Sequence, residues 1–540
     1  MMRLNKKILL GAAIAVASAQ QAVAVPFAPS DARAMGMGGV GVASSEIASA
    51  PRYNPALLAN TREDDHFGLK FPQFSVIVAD DDGFIDSVEA FDEEDEFGNS
   101  NIDNLSAALD AANNGGISAI ENAANALNSD DNASDLSDAA DALTATIDAL
   151  RGSVISTEGA ATPDSDLYTY SNLIANDVEN LNSKALRLNA GGNIALAIPS
   201  KKFSLALSTG AQVVFSGRVI NLESDTDLMR NYATATDRYL TTVADLEGAL
   251  SAAIDAKEAL EADLANTQLQ NEASAAADEL DAAQAALDDF SYGGTAGEGD
   301  TVIFQDGALV ETNTDLSAEI EMVGVAIADI GLTAARTFNI KGHDISFGVT
   351  PKLQMVTIFD YKQQLDSEDE FDGDTITENT EEYSAFNLDL GAAYQFGIEK
   401  QWQAGITIQN LLGGEYESYQ YVNSNGAEGS MVTISPMMRA GISHQTSWSK
   451  VAFDLDLTEN DPVAFEDPTQ YAAIGAEFNL FRTLQLRAGY RSNLAGTDQD
   501  IVTAGIGLSP FAIHLDLGVM ANASDPEKEA GIALEFGVEF

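Results

Sequence analysis

Histidine is scarce in this chain, with His66, His343, His444 and His514 only, and cysteine is absent. His514 and Asp516 stand two residues apart, which puts both on one face of a strand, and such a pair could serve a hydrolase. A hydrolase also needs a nucleophile held by its base. No serine motif accompanies the pair, so two polar neighbours in a wall is the plainer reading. Asp80, Asp82 and Asp86 surround Gly83 and offer oxygen ligands about a turn, as calcium loops do. The twelve-residue calcium pattern is incomplete, and a solvated acidic loop explains the run more simply. Asp92-Glu93-Glu94-Asp95-Glu96 and Glu368-Asp369-Glu370 read as solvated faces, or as cation bridges to lipopolysaccharide phosphates. The glycines of 36–41 form no phosphate loop: they follow no strand and lack the Gly-Lys-Ser/Thr ending. No catalytic set, no metal centre and no cofactor is therefore expected.

The elements that would position these residues are strands. In 184–198, Leu186, Leu188, Ala190, Ile194, Leu196 and Ile198 alternate with Arg187, Asn189 and Asn193. In 343–361, Ile345, Phe347, Val349, Leu353 and Met355 alternate with Ser346, Thr350, Lys352 and Gln354. The segments 401–411, 483–492 and 511–519 repeat the pattern, the last two with Arg487, His514 and Asp516 on the polar face. Such succession is the mark of a transmembrane barrel, apolar toward lipid and polar toward the lumen. Arg187, Lys352, Arg487, His514 and Asp516 are accordingly expected to face the lumen.

Both chain ends agree. Arg3, Lys6 and Lys7 precede an apolar stretch from Ile8 to Ala19 and a small-residue cleavage site at Ala22-Val23-Ala24, a secretory signal peptide over 1–24. At the other end, Ile532, Leu534, Phe536, Val538 and Phe540 alternate with small or acidic residues. The terminal Phe resembles the signal read by the outer-membrane barrel-assembly machinery. No run of 18 apolar residues follows the signal peptide, so no membrane-spanning helix is expected. A membrane protein without such helices must close its sheet, because an open edge in lipid strands backbone polar groups. The net charge of −57 argues against nucleic acid, whose phosphates require Lys and Arg.

Connections alternate between short and long, and long ones are extracellular in outer-membrane barrels. Counting back from Phe540 predicts strands near 529–540, 511–521, 499–508, 483–493, 470–480, 448–459, 430–444, 401–412, 382–397, 343–363, 316–339, 202–218, 184–198 and 66–79. The fold class is thus an all-β transmembrane, antiparallel β-barrel of about 14 strands over 63–540, with 316–339 long enough for two strands or a kinked one. A Gly-, Ala- and Pro-rich segment, 25–62, precedes it. Two extracellular insertions stand out: 80–183 holds 24 acidic residues and one basic residue, Arg151, and 219–315 holds 21 acidic residues against Arg230, Arg238 and Lys257. Tyr239, Val243, Leu246, Leu250, Ala253, Leu260 and Leu264 keep a 3-4 spacing interrupted at Lys257, which predicts a helical hairpin or short coiled coil. For 80–183, helix and disordered acidic tract both remain open.

Residues Ala34-Met35-Gly36-Met37-Gly38-Gly39-Val40-Gly41-Val42-Ala43, then Asn54-Pro55-Ala56-Leu57-Leu58-Ala59, resemble the start of FadL-type outer-membrane transporters. Gly331-Leu332-Thr333-Ala334-Ala335-Arg336 and Gly348-Val349-Thr350-Pro351-Lys352 are similar to its conjugal-transfer TraF-like branch. The resemblance covers 25–79 and the strands from 184 on, with both acidic loops outside it. It implies a fourteen-strand barrel with 25–62 folded inside as a plug, or hatch, to which Asn54, Pro55 and Ala56 belong. A turn cap is the alternative role for Asn54-Pro55. The conjugation protein called TraF resembles a thioredoxin-type periplasmic protein, whereas this chain has no cysteine pair. The resemblance implies passive uptake of a hydrophobic or amphipathic small molecule, fatty-acid- or hydrocarbon-like. The rival expectation is a surface interaction protein that uses the helical loops for adhesion or conjugation contact. Expected partners are outer-membrane lipid and lipopolysaccharide, the assembly machinery and a hydrophobic small-molecule ligand.

Overall fold

The computed structural model describes residues 14–15, 31–60, 67–90, 105, 117–129, 131–151, 166–200, 202–294, 299, 301–310, 316–365, 367, 373–418, 431–460, 465, 467–481, 483–496 and 499–539. The expected signal peptide (but for Ile14 and Ala15), His66, the acidic runs 92–96 and 368–370, and Phe540 lie outside these residues.

Period-two patterning becomes fourteen strands of one closed sheet. They are β1 (Gly68–Ala79), β2 (Ala185–Ile198), β3 (Ser204–Ile220), β4 (Glu319–Ile340), β5 (His343–Gln364), β6 (Thr380–Phe396) and β7 (Trp402–Gln409). The ring continues through β8 (Met437–Gln445), β9 (Ser449–Asp456), β10 (Tyr471–Leu480), β11 (Leu484–Asn493), β12 (Asp500–Leu508), β13 (Ile513–Asn522) and β14 (Glu529–Glu539). Each pairs antiparallel with its neighbours in sequence, and β14 closes on β1 with Ile532 opposite Val76. Pro72, which cannot donate to a ladder, falls at a register shift between Lys70 and Gln73.

Two strand expectations are refined. The 316–339 region is one strand of 22 residues, paired along its length with the equally long β5. The expected strand over 430–444 is two pieces, Met431–Ile434 and β8, because Pro436 interrupts it. The first piece instead forms a hairpin with Gly414–Glu417. Tyr416, Val432 and Ile434 of that hairpin pack on the inward residues Val214, Val325, Val356 and Ile358. Toward the end that carries the long connections, this apolar cluster sits next to the charged group of Arg218, Glu321 and Lys362.

Side-chain parity sorts the wall. Ile330, Leu332, Leu353, Met355 and Phe386 point outward and are more than half exposed. A contiguous apolar band of that extent would be an aggregation surface in water; it is the lipid face of a membrane barrel. An aromatic belt with Phe338, Phe347, Trp402, Trp448 and Phe478 rims the end with the short turns. No helix among the described residues is long and apolar enough to cross a membrane.

The described parts of both insertions are mainly helical, and the second also carries a short hairpin of Phe304–Gln305 with Ala308–Leu309. α3 (Phe84–Glu89), α4 (Ile117–Asn125), α5 (Ala133–Arg151) and α6 (Asp166–Glu179) come from the first, α7 (Leu222–Ala262) and α8 (Thr267–Asp288) from the second; α1 (Ala32–Met35) and α2 (Ala50–Tyr53) belong to the segment before the barrel. Tyr239, Val243, Leu246, Leu250 and Ala253 are buried against Leu136, Leu143 and Leu280 in a core of their own. The 3-4 spacing lapses after Ala253, and Leu264 is exposed. Lys257, the interruption in the pattern, donates to the carbonyls of Ser129 and Asp131 between α4 and α5.

Candidate functional site

Residues 31–60 pack against the face of the ring opposite its exposed apolar band. The segment is made of α1 (Ala32–Met35), α2 (Ala50–Tyr53) and a 3₁₀ turn over Pro55–Ala59, and Met35, Met37, Val40, Asn54 and Leu58 are fully buried. Its turns are locally encoded. Asp31 accepts from the Ala34 N–H at 2.6 Å as an N-cap, and Asn54 accepts from the Ala56 N–H at 3.1 Å. So short a segment cannot fold alone; the wall holds it.

The wall meets it with glycine. Register sets Gly348 beside Gly391, Gly475 beside Gly489 and Gly505 beside Gly518. A side chain at Gly348 would overlap the Pro55 carbonyl carbon, at Gly405 the Val42 oxygen, at Gly475 the Met37 oxygen, and at Gly518 the Ala32 oxygen. The segment's backbone thus lies directly on the strands, and only glycine permits that approach.

Polar groups then fix its position. One carboxylate oxygen of Asp454 accepts from the N–H groups of Gly41 and Val42, at 2.7 and 2.9 Å. Asn54 donates to the Val42 carbonyl at 2.9 Å and to the Ala392 carbonyl of β6 at 3.2 Å. Ser443 and Gln403 both donate to the Ala43 carbonyl, at 2.6 and 2.9 Å, and Thr503 accepts from the Gly38 N–H. Asn54 is therefore both a turn cap and a bridge to the wall, with Pro55 and Ala56 against Gly348. Buried backbone groups of an irregular segment require partners of this kind.

Charge forms a chain along the wall. Arg33 reaches Glu477 at 2.8 Å, Glu477 also accepts from Arg487 at 2.8 Å, and Arg487 pairs with Asp516. Lys70 bridges Glu46 at 2.7 Å and Glu535, Arg439 pairs with Asp456, and Lys352 pairs with Asp389 at 2.9 Å. Arg187 is paired with Asp81. Each of these charges finds an opposite one, as buried charges must. Glu477, Asp454, Asp456, Arg439 and Lys70 were not singled out from the sequence; their parity on alternating strands was the signal that marks them as inward.

Two other expectations look different in three dimensions. Both oxygens of Asp80 accept helix-start N–H groups, from Phe84 at 2.6 Å and Ile85 at 2.7 Å, while Asp82 and Asp86 are exposed. The stretch expected as a candidate cation loop thus leads into α3, with Asp80 holding its first two N–H groups. His514 bonds through Nδ1 to Ser509 Oγ at 2.8 Å, but Asp516 is turned to Arg487, so this Ser–His contact lacks a carboxylate to orient it.

Small cavities remain beside the segment. One of about 30 Å³ lies among Arg52, Asn193, Asp329, Lys352 and Asp389. A vestibule of about 720 Å³ opens at the short-turn end, lined by Glu46, Gln403, Ser443, Lys450, Glu477 and Arg487 among others. The vestibule below the segment is polar; above it the apolar cluster around the 414–434 hairpin lies alongside ion pairs such as Arg218–Glu321 and Arg439–Asp456.

A family model described as "F plasmid transfer operon, TraF, protein" matches residues 125–456. That match spans the second acidic insertion and part of the first, which the sequence resemblance had left outside. No curated protein sequence matches the chain. Among solved structures, the Ralstonia pickettii toluene transporter TbuX is similar, at 9% identity and a TM-score of 0.41, over 95% of this chain and 100% of that one. The P. putida toluene transporter TodX is similar at 9% identity and a TM-score of 0.37, over 94% and 98% of the two chains. The CymD monoaromatic hydrocarbon channel is similar at 10% identity and a TM-score of 0.39, over 96% and 99%.

Proposed function

The chain belongs to the family described as F plasmid transfer operon, TraF, protein, and from that premise we propose that it is an outer-membrane channel for passive entry of a small hydrophobic or amphipathic molecule, with residues 31–60 as its hatch. In this reading the short turns face the periplasm, the long connections face outside, and the protein performs no catalysis. Toluene and monoaromatic hydrocarbons are carried by the proteins named above; a fatty-acid- or hydrocarbon-like solute is the corresponding proposal here.

The observation that carries it is how the segment is held. Among the described residues, no strand ladder joins 31–60 to the wall; side chains and close backbone contacts do. The segment can therefore shift while every barrel hydrogen bond survives. In this reading the packed apolar cluster of Val325, Val356, Ile358 and Tyr416 must part to admit a solute, which then leaves through the polar vestibule. Uptake of a radiolabelled fatty acid or monoaromatic hydrocarbon, compared between a deletion strain and its parent, tests this; unchanged uptake refutes it.

A second reading is favoured by the helices, whose core is separate from the barrel's and which fall within the family match. In it the acidic bundle contacts lipopolysaccharide or another cell and the barrel is its anchor. Excising 225–300 separates the two: retained uptake with lost adhesion or mating contact supports the second reading.

A further inference from the structure

Charge is distributed against the grain of the chain at the short-turn end. Overall the protein has 27 basic and 84 acidic residues, yet the turns 199–203, 341–342, 397–401, 446–448, 481–483 and 509–512 contain Lys201, Lys202, Lys341, Lys400 and Arg482 against a single acid, Glu399. The backbone adds a second anomaly. Lys341, Lys400, Phe481 and Phe511 occupy these turns with φ of 53°, 53°, 56° and 64°. Glycine, Asn or Asp adopt that left-handed conformation at low cost; Lys and Phe do not. Strain at such positions is retained where the side chain is needed. Phe481 and Phe511 are also fully open, at 90% and 103% exposure.

On the outer face just above two of these turns lies a continuous aromatic patch. His343 bonds through Nδ1 to the Tyr394 hydroxyl at 2.7 Å. Tyr394 stacks on Phe396, Phe396 on Trp402, and Trp402 meets His444, with ring centroids 5.6, 6.2 and 4.6 Å apart. These rings share the parity of Phe386, Ile406 and Ile442, which face lipid. Lys400 bridges to Asp344 at 2.9 Å, which brings the β6–β7 turn beside the β4–β5 turn that carries Lys341. Two exposed lysines, Lys341 and the Asp344-paired Lys400, therefore hang beneath one apolar, ring-faced patch.

We propose that this edge of β5–β8 binds an anionic glycerophospholipid of the inner leaflet, with its phosphate between Lys341, Lys400 and His343 and its acyl chains on Tyr394, Phe396 and Trp402. The assignment rests on the orientation proposed above. Aromatic rings seat at headgroup level and lysines beyond them meet the phosphate layer. Anionic lipid attracts each juxtamembrane lysine by on the order of five-fold in binding. Charge complementarity favours lipid over an acidic periplasmic protein because the lysines lie at the foot of a lipid-facing patch rather than around an open face.

The only two tryptophans, Trp402 and Trp448, both lie in the aromatic belt at this end and report on it directly. The full protein is reconstituted into phosphatidylcholine vesicles containing either brominated phosphatidylglycerol or brominated phosphatidylcholine, and tryptophan quenching is compared at equal mole fraction. The expected result is several-fold preferential quenching by the anionic lipid, weakened by salt. Lys341→Gln/Lys400→Gln should bring the ratio close to one, and Trp402→Phe should remove the preference while Trp448 is still quenched by both lipids. Equal quenching in the unaltered protein, or a preference that survives either variant, overturns the site. Quenching by neither lipid overturns it together with the membrane placement of this edge.

Discussion

Gly41 and Val42 hang their N–H groups on one carboxylate oxygen, that of Asp454, and both are buried. Hydrogen bonds to a charged group contribute roughly 1.5–3 kcal/mol, and a buried donor left unmet costs about 1–3 kcal/mol. Asp454→Ala should therefore loosen the segment around residues 41–42 without opening the barrel. Amide hydrogen exchange at Gly41 and Val42 should rise by one to two orders of magnitude; unchanged protection would show that the carboxylate does not hold them. The glycine track makes an independent prediction. Gly475→Leu drives a side chain into the Met37 carbonyl, whereas Gly217, whose added Cβ would meet nothing closer than 3.8 Å, should tolerate Ala. In planar bilayers the first variant should raise the open conductance and the second should leave it at the parental level.

At the scale of elements, the helical bundle and the barrel carry separate cores. Leu246 is fully buried among Tyr239, Val243, Leu250 and Leu280. Leu246→Asp places an unpaired charge there and should remove most of the helical circular-dichroism signal. The barrel's resistance to unfolding in detergent should persist; its joint loss would show one cooperative unit instead. The strands were legible in the sequence because parity survives any error in a boundary: Leu186 to Ile198 and Leu484 to Tyr490 face lipid as their alternation implies. Loop length likewise separated the two ends. Pro436 and Asp80 were also visible in the sequence, but each needs a neighbouring element, the 414–417 hairpin or the start of α3, before its role is defined. The glycine track was not legible. Gly475 and Gly489 look like any small lumen residues until register places them under residues 37–38, and Arg33 meets Glu477 across 444 positions of sequence.

For the whole molecule, two features matter most: a closed wall complete in its own hydrogen bonds, and the 31–60 segment attached to it by other means. The first lets the barrel persist in lipid. In the proposed function the second lets the lumen open onto the polar vestibule beneath the segment. The acidic bundle has a core of its own and meets the barrel where Asp225 of α7 accepts from the N–H groups of Ser317 and Ala318. Because the chain has no cysteine, an introduced pair is chemically unique. Ala43 and Ser443 suit the purpose, since the Ser443 hydroxyl lies 2.6 Å from the Ala43 carbonyl oxygen. In cells carrying Ala43→Cys/Ser443→Cys, joined by oxidation or by a short bifunctional reagent, uptake of the radiolabelled hydrophobic solute should fall to the deletion-strain level and return on reduction or release of the link. Uptake that continues at the parental rate with the link formed would contradict the account.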